Sequence, residues 1–376
     1  MSRESATIPS SLGRRSTAGR AALTGLLLLV LAVLPLAAPA LAQSAADASK
    51  RQDLTSAEEP SPQGDVLPGT RRALILCGHP GDPAHRAMYA RSVQKLSEGL
   101  TQCCGFDAEQ VWVRFGSQPQ ADDLPAIAGC RGLSTREAIE EDVAELGKQL
   151  DPQDALWVIV LGHAHFDGRH SHLNLPGPDI REDEFGRLFE TIVAREQVFW
   201  ITTPASGFFI KHLSAKGRIV ISATEADQEV NETVLHVPLA DVLSNPPDED
   251  EYDEDGDGRI SVLDLYLTVV RRVAMMYKTA ENIPTEHAQL DDNGDGRSTE
   301  LQIDYLPPDL GGRAKEGNVV ELSPSRDGAL AATVEIPVSR PEEPTETMPE
   351  EPFDQHSPSV DEPNSIERMQ VIPEKE

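Results

Sequence analysis

The sequence predicts an α/β fold, a three-layer αβα sandwich around a mainly parallel sheet of about five to six strands. Three observations predict it. Short β-branched runs are apolar on both faces, amphipathic helical segments lie between them, and the connections are long enough for crossovers.

The first run is "RRALILC" (71–77), bounded by the turn "GHPGDP". Tyr89, Val93, Leu96 and Leu100 then recur at helical spacing. "EQVWVRF" (109–115) reads as the second strand. "STRE" (134–137) has the form of a capping box before the helical set Ile139, Val143, Leu146 and Leu150. "ALWVIVL" (155–161) is the third strand. Phe185, Leu188, Phe189 and Ile192 make another helical face before "QVFWIT" (197–202) and "RIVISA" (218–223). Alternation of this kind predicts right-handed crossovers. Functional groups in such a sheet gather beyond the carboxyl ends of the strands. "CGHPGD", His163 and "TTPASG" should therefore open onto one edge.

The flanks differ in character. Arg14, Arg15 and Arg20 precede the apolar run "AALTGLLLLVLAVLPLA", and Ala40 and Ala42 occupy the small positions of a cleavage site. Residues 1–42 therefore read as a signal peptide, with export to the periplasm, envelope or exterior and no transmembrane segment in the mature chain. The paired arginines fit a twin-arginine route. Residues 43–69 are a polar leader and 340–376 a Pro/Glu-rich tail, both expected to be disordered. The domain proper spans 70–245, an acidic segment 246–310, and an irregular stretch 311–339 in which "GALAATVEIPV" (328–338) reads as a last strand. The formal net charge of −30 disfavours nucleic acid or an anionic membrane and favours cations. Four cysteines, Cys77, Cys103, Cys104 and Cys130, allow one bridge involving Cys130 but no disulfide framework, and no C-x-x-C pair supports structural zinc.

Calcium is the expected cofactor. "DEDGDGRISVLD" matches a twelve-residue calcium loop: Asp253, Asp255 and Asp257 at positions 1, 3 and 5, Gly258 at 6, the Arg259 carbonyl at 7, Ser261 at 9 and Asp264 at 12. Alternate carboxylates on a tight turn converge on a hard cation. A second loop keeps Asp291, Asn293, Asp295 and Gly296 but has Ser298 and Gln302 at positions 8 and 12. Its start, 38 residues after the first, matches the spacing of a paired EF-hand unit, although "NPPDEDEY" is a poor entering helix. Outside a cell even a dissociation constant of ~10⁻⁴–10⁻³ M fills such a site.

"HAHFDGRHSH" gathers His163, His165, Asp167, His170 and His172. H-x-H-x-D is similar to the metal signature of the metallo-β-lactamase fold, but Gly168 stands where a further histidine belongs. A histidine-ligated metal hydrolase is thus one alternative. The other reading is a nucleophilic dyad. "LGHAHFDG" resembles the His-Gly turn of the caspase–legumain superfamily of cysteine peptidases, "TTPASGFF" resembles its Cys-x-Ser-Gly nucleophile loop, and "LSAKGRIVISATEADQEVNE" the strand and loop that follow. The resemblance covers about residues 70–305 and extends to exported bacterial relatives with acidic calcium loops. It implies a caspase-like fold with His163 at the catalytic position. It also puts Pro204 in the nucleophile's place, and proline offers no thiol, hydroxyl or N–H. The expectation is an exported calcium-binding protein whose domain has lost hydrolysis and binds a peptide or protein. An active hydrolase would have to use Cys77 or Ser206 with His163. Arg86 lies near the family's basic pocket residue, but the local order differs and the role does not transfer. Glu225, Asp227 and Glu229 read as a solvated face.

Overall fold

A computed structural model describes residues 69–116, 127–227, 229–314 and 320–338. The expected signal peptide and tail, and all but the last residue of the leader, lie outside them. In chain order the elements are β1 (Arg71–Cys77), α1 (Pro83–Gln102), β2 (Val111–Phe115), β3 (Cys130–Leu133), α2 (Arg136–Gln149) and β4 (Ala155–Leu161). Then come β5 (Ala164–Phe166), β6 (Ser171–Leu173), β7 (Ile180–Arg181), α3 (Glu182–Leu188), β8 (Glu196–Ile201), α4 (Gly207–Leu213) and β9 (Arg218–Ser222). The chain continues through α5 (His236–Ser244), α6 (Glu249–Tyr252), α7 (Val262–Thr279) and β10 (Gln289–Asp291).

The main sheet has seven strands in the order β10-β9-β8-β4-β1-β2-β3, all parallel except the β10–β9 pair. All five runs read from the sequence are in it. The two additional strands are short edges: β3 is mostly exposed, and β10 comes from the acidic segment. Neither carries the long apolar run that marks a central strand.

The pleat sorts each central strand into two faces. Ile75, Cys77, Trp157, Ile159 and Trp200 pack with residues of α1, α5 and α7. Leu74, Leu76, Val158, Val160 and Phe199 pack with residues of α2, α3 and α4. That is the expected αβα sandwich. The composition change at residue 245 does not coincide with a break in packing, because α7 belongs to the same helical layer as α1 and α5 and β10 pairs with β9 at the sheet's edge.

Two local expectations are corrected. Thr135, not Ser134, caps α2, accepting from the Ala138 amide at 3.3 Å, while the Ser134 hydroxyl donates to the Cys77 carbonyl. The strand expected over 328–338 is a 3₁₀ turn at Ala331–Thr333 followed by a single antiparallel bridge, Ser261 to Glu335. The Asp292 carboxylate bends this stretch by accepting from the amides of Gly328 (3.0 Å) and Ala331 (2.8 Å), and Pro337 has no N–H to extend a ladder. No helix among the described residues is long and apolar enough to cross a membrane.

Candidate functional site

His163 sits two residues beyond the end of β4, at the carboxyl edge of the sheet. Its Nδ1 lies 2.6 Å from Glu232 Oε1 and its Nε2 2.9 Å from the Pro80 carbonyl. Both partners are acceptors, and with both of its nitrogens engaged the ring leaves neither one open to a nucleophile. The rings of His85 and Tyr89 cross it edge-on at 4.9 and 5.7 Å. Gly81, at φ 73°, makes room, since a Cβ there would stand 2.8 Å from His163 Nε2. The Tyr89 hydroxyl donates to the other Glu232 oxygen at 3.3 Å. Glu232 is the functional neighbour that sequence reasoning missed, being 69 residues from His163 in an unpatterned loop.

The neighbouring loop is closed to substrate. Thr202, Thr203, Pro204, Ala205 and Ser206 are all buried. Ala205 holds a left-handed backbone at φ 50°, with its amide donating to the Glu229 carbonyl at 3.0 Å. This sharp turn aims Ser206 into the fold, where its Oγ accepts from the amides of Ala223 (3.0 Å) and Thr224 (3.1 Å). Ser206 is a latch between two strand ends. Cys77 does end β1, but its sulfur is fully buried, and burial pushes the thiol well above its usual range, away from the reactive thiolate. All four cysteines are free, so the single bridge allowed by the sequence is not formed, and Cys130 is the exposed one.

The histidine run does not converge. It folds into the β5–β6 hairpin, where His165 stacks on its cross-strand partner His172 at 4.8 Å. His165 is bonded to Asn174 and His172 to Asp167. The group at ligand distance is instead His170, Glu182 and Asp183.

The two acidic loops, Asp253–Asp264 and Asp291–Gln302, are built alike. In the first, the Asp253 carboxylate accepts from the amides of Gly256, Asp257 and Gly258, Asp255 from Asp257, and Asp257 from Arg259. In the second, Asp291 accepts from Gly294 and Gly296, Asn293 from Asp295, and Asp295 from Arg297. Glycines at positions 4 and 6 of both loops carry φ between 74° and 82°, which side chains other than glycine rarely adopt. Oxygens of Asp253, Asp255 and Asp257 lie within 4.8 Å of one another. Burial, then the charges of Asp264 and Asp257, raise Asp255 to about 6, the signature of crowded carboxylates.

The residue at position 12 is engaged within the fold in both loops. Asp264 closes the first loop on itself, accepting from the amides of Glu254 and Asp255 and from the Ser261 amide and hydroxyl. Ser261 in turn caps α7, and the Arg259 side chain pairs with Glu335 at 3.1 Å. Gln302 is committed elsewhere, to the Tyr266 hydroxyl and the Ala288 carbonyl. Nor do the loops form an EF-hand pair. The first is bridged by the C-terminal segment, with Val262 donating to Val334 and Ile336 to Ile260, whereas the second pairs Leu290 with Thr299 inside itself.

A cleft of about 400 Å³ opens beyond β9, lined among others by Leu235, Tyr277, Glu286, His287 and Glu300. Here Glu229, expected on a solvated face, accepts from the amides of Glu225 and His287 and pairs with the His287 ring. Burial raises Glu286 to about 8.

No protein-family model matches the chain, and no curated protein matches it. Among solved structures it is similar to a secreted C11 cysteine protease from Bacteroides thetaiotaomicron bound to an irreversible peptide inhibitor. The identity is 10% and the TM-score 0.34, over 60% of this chain and 66% of that one, just under two thirds. At that score no residue role is carried across from it.

Proposed function

We propose that this is an exported calcium-binding protein whose αβα domain, of caspase–legumain type, no longer hydrolyses and serves to bind a peptide or protein. Calcium is held by the Asp253–Asp264 loop, with the Asp291–Gln302 loop a weaker second position. The reading is carried by the convergence of three carboxylates on a loop whose amides already fix each of them. A cation relieves their mutual repulsion without rebuilding the turn. Loss of hydrolysis is supported by Pro204 at the nucleophile's place and by the engagement of both Ser206 and Cys77 inside the fold. Export follows from the N-terminal apolar run and its flanks.

Calorimetry tests the reading. The purified chain should show calcium binding with a dissociation constant of roughly 10⁻⁵–10⁻³ M, lost in an Asp253→Ala, Asp257→Ala variant. A wild-type protein that gives no calcium heat, or a variant that binds as well, contradicts it.

A further inference from the structure

The chain departs from simple fold economy where the β6–β7 ladder opens into α3. The antiparallel register pairs His172 with Arg181 and Leu173 with Ile180, and the chain turns into α3 at Glu182, directly after the ladder ends. Glu182 is only 4% exposed. One of its oxygens is 2.9 Å from His170 Nδ1, and the other, Oε2, is buried with no hydrogen-bond partner. Asp183 Oδ1 and the Ser171 hydroxyl are likewise buried without one. Glu182 Oε2 is thus an orphaned carboxylate oxygen beside an imidazole, and Asp183 Oδ1 near it is held only by an ion pair to Arg181 Nε at 3.0 Å. A buried carboxylate oxygen left so is unfavourable unless a cation completes it.

We propose that a divalent transition-metal ion binds here, held by His170, Glu182 and Asp183. Their ligand atoms lie within 4.8 Å of one another. Nitrogen and oxygen ligands at about 2.0–2.2 Å from a shared ion stand about 3–4 Å apart, so small side-chain movements close the shell. The ion takes the place of the proton between His170 Nδ1 and Glu182 Oε1, and the neutral ring carries its proton on Nε2 instead. One imidazole with two carboxylates suits zinc or manganese rather than calcium, which takes oxygen alone. Asp183 already receives Arg181 and Arg187 at Oδ2, at 3.1 and 2.9 Å. Its Oδ1, 3.0 Å from Arg181 Nε but without hydrogen-bond geometry, is the oxygen that turns to the metal. The guanidiniums offset part of the acidic charge and keep the site from collecting cations indiscriminately. His170, about a quarter exposed, provides the way in. A metal so placed would fasten the histidine hairpin to α3.

Zinc is the probe. The full chain, stripped with chelator and exchanged into millimolar calcium, should take up one zinc ion by calorimetry, and cobalt should give visible d–d absorption in its place. His170→Ala and Glu182→Gln should each weaken zinc at least 100-fold and abolish the cobalt bands, while Asp253→Ala with Asp257→Ala leaves both unchanged. The separate calcium double variant keeps failure here distinct from failure of the calcium reading. His170 is on a partly exposed hairpin, so its variant decides the matter should the buried Glu182 change unfold the chain. No zinc uptake by the wild type, or equal uptake by His170→Ala, overturns the site.

Discussion

At the scale of single residues, the sheet edge is a set of acceptors and donors already spent on one another. Ser206 illustrates it: a hydroxyl in the loop after β8 that holds two buried amides. Ser206→Ala should therefore destabilise the fold by about 2–3 kcal/mol in denaturant unfolding, the cost of stranding buried donors. A catalytic serine would cost activity with little change in stability. Glu286 gives a second prediction. Its carboxyl titrates near 8 in the folded state against an ordinary 4.5, because burial disfavours the charge. The folded state then holds a proton that the unfolded state has released, so stability contributed below pH 4.5 is lost as pH rises through about 8. Glu286→Gln should flatten that part of the stability–pH curve. An unchanged slope would place the titration elsewhere. The sequence showed the edge residues His163 and Ser206 but not their partners Glu232 and Thr224, whose contacts close over loops with no periodic pattern.

At the scale of elements, local patterns were legible to different depths. The five apolar strands and the helices α1 and α2 declare themselves through burial, which imposes composition. The two acidic loops do so through glycines at fixed positions. What is lost is whatever depends on a distant partner. Gln302 reads as a poor calcium ligand, yet only packing shows that it serves Tyr266. Residues 328–338 read as a last strand, yet 334–336 bridge the first acidic loop where an EF-hand partner loop would lie. This segment joins the loop through Val262, Ile260 and the Arg259–Glu335 pair. Removing calcium should loosen both together. Hydrogen exchange with chelator should show faster exchange at the amides of Val262 and Ile336 while the β4 amides stay protected. Protection at 260–262 and 336 that is indifferent to calcium would contradict the coupling.

For the whole molecule, the αβα sandwich was readable because its logic is alternation: apolar strands, amphipathic helices and crossovers. The sheet order, the edge strands β3 and β10, and the merging of the acidic segment into the same core were not readable, since short edges carry little apolar signal. A sheet of this order brings the loops after β1, β4 and β8 to one edge, and on this chain that edge carries a paired histidine, a buried thiol and a turned-in serine. The most direct measurement is peptide-mapped mass spectrometry of the native protein after exposure to thiol- and serine-directed electrophiles. We expect modification at the exposed Cys130 and none at Cys77 or Ser206. An adduct on either buried residue, with loss of peptide turnover when it forms, would show a working hydrolase instead.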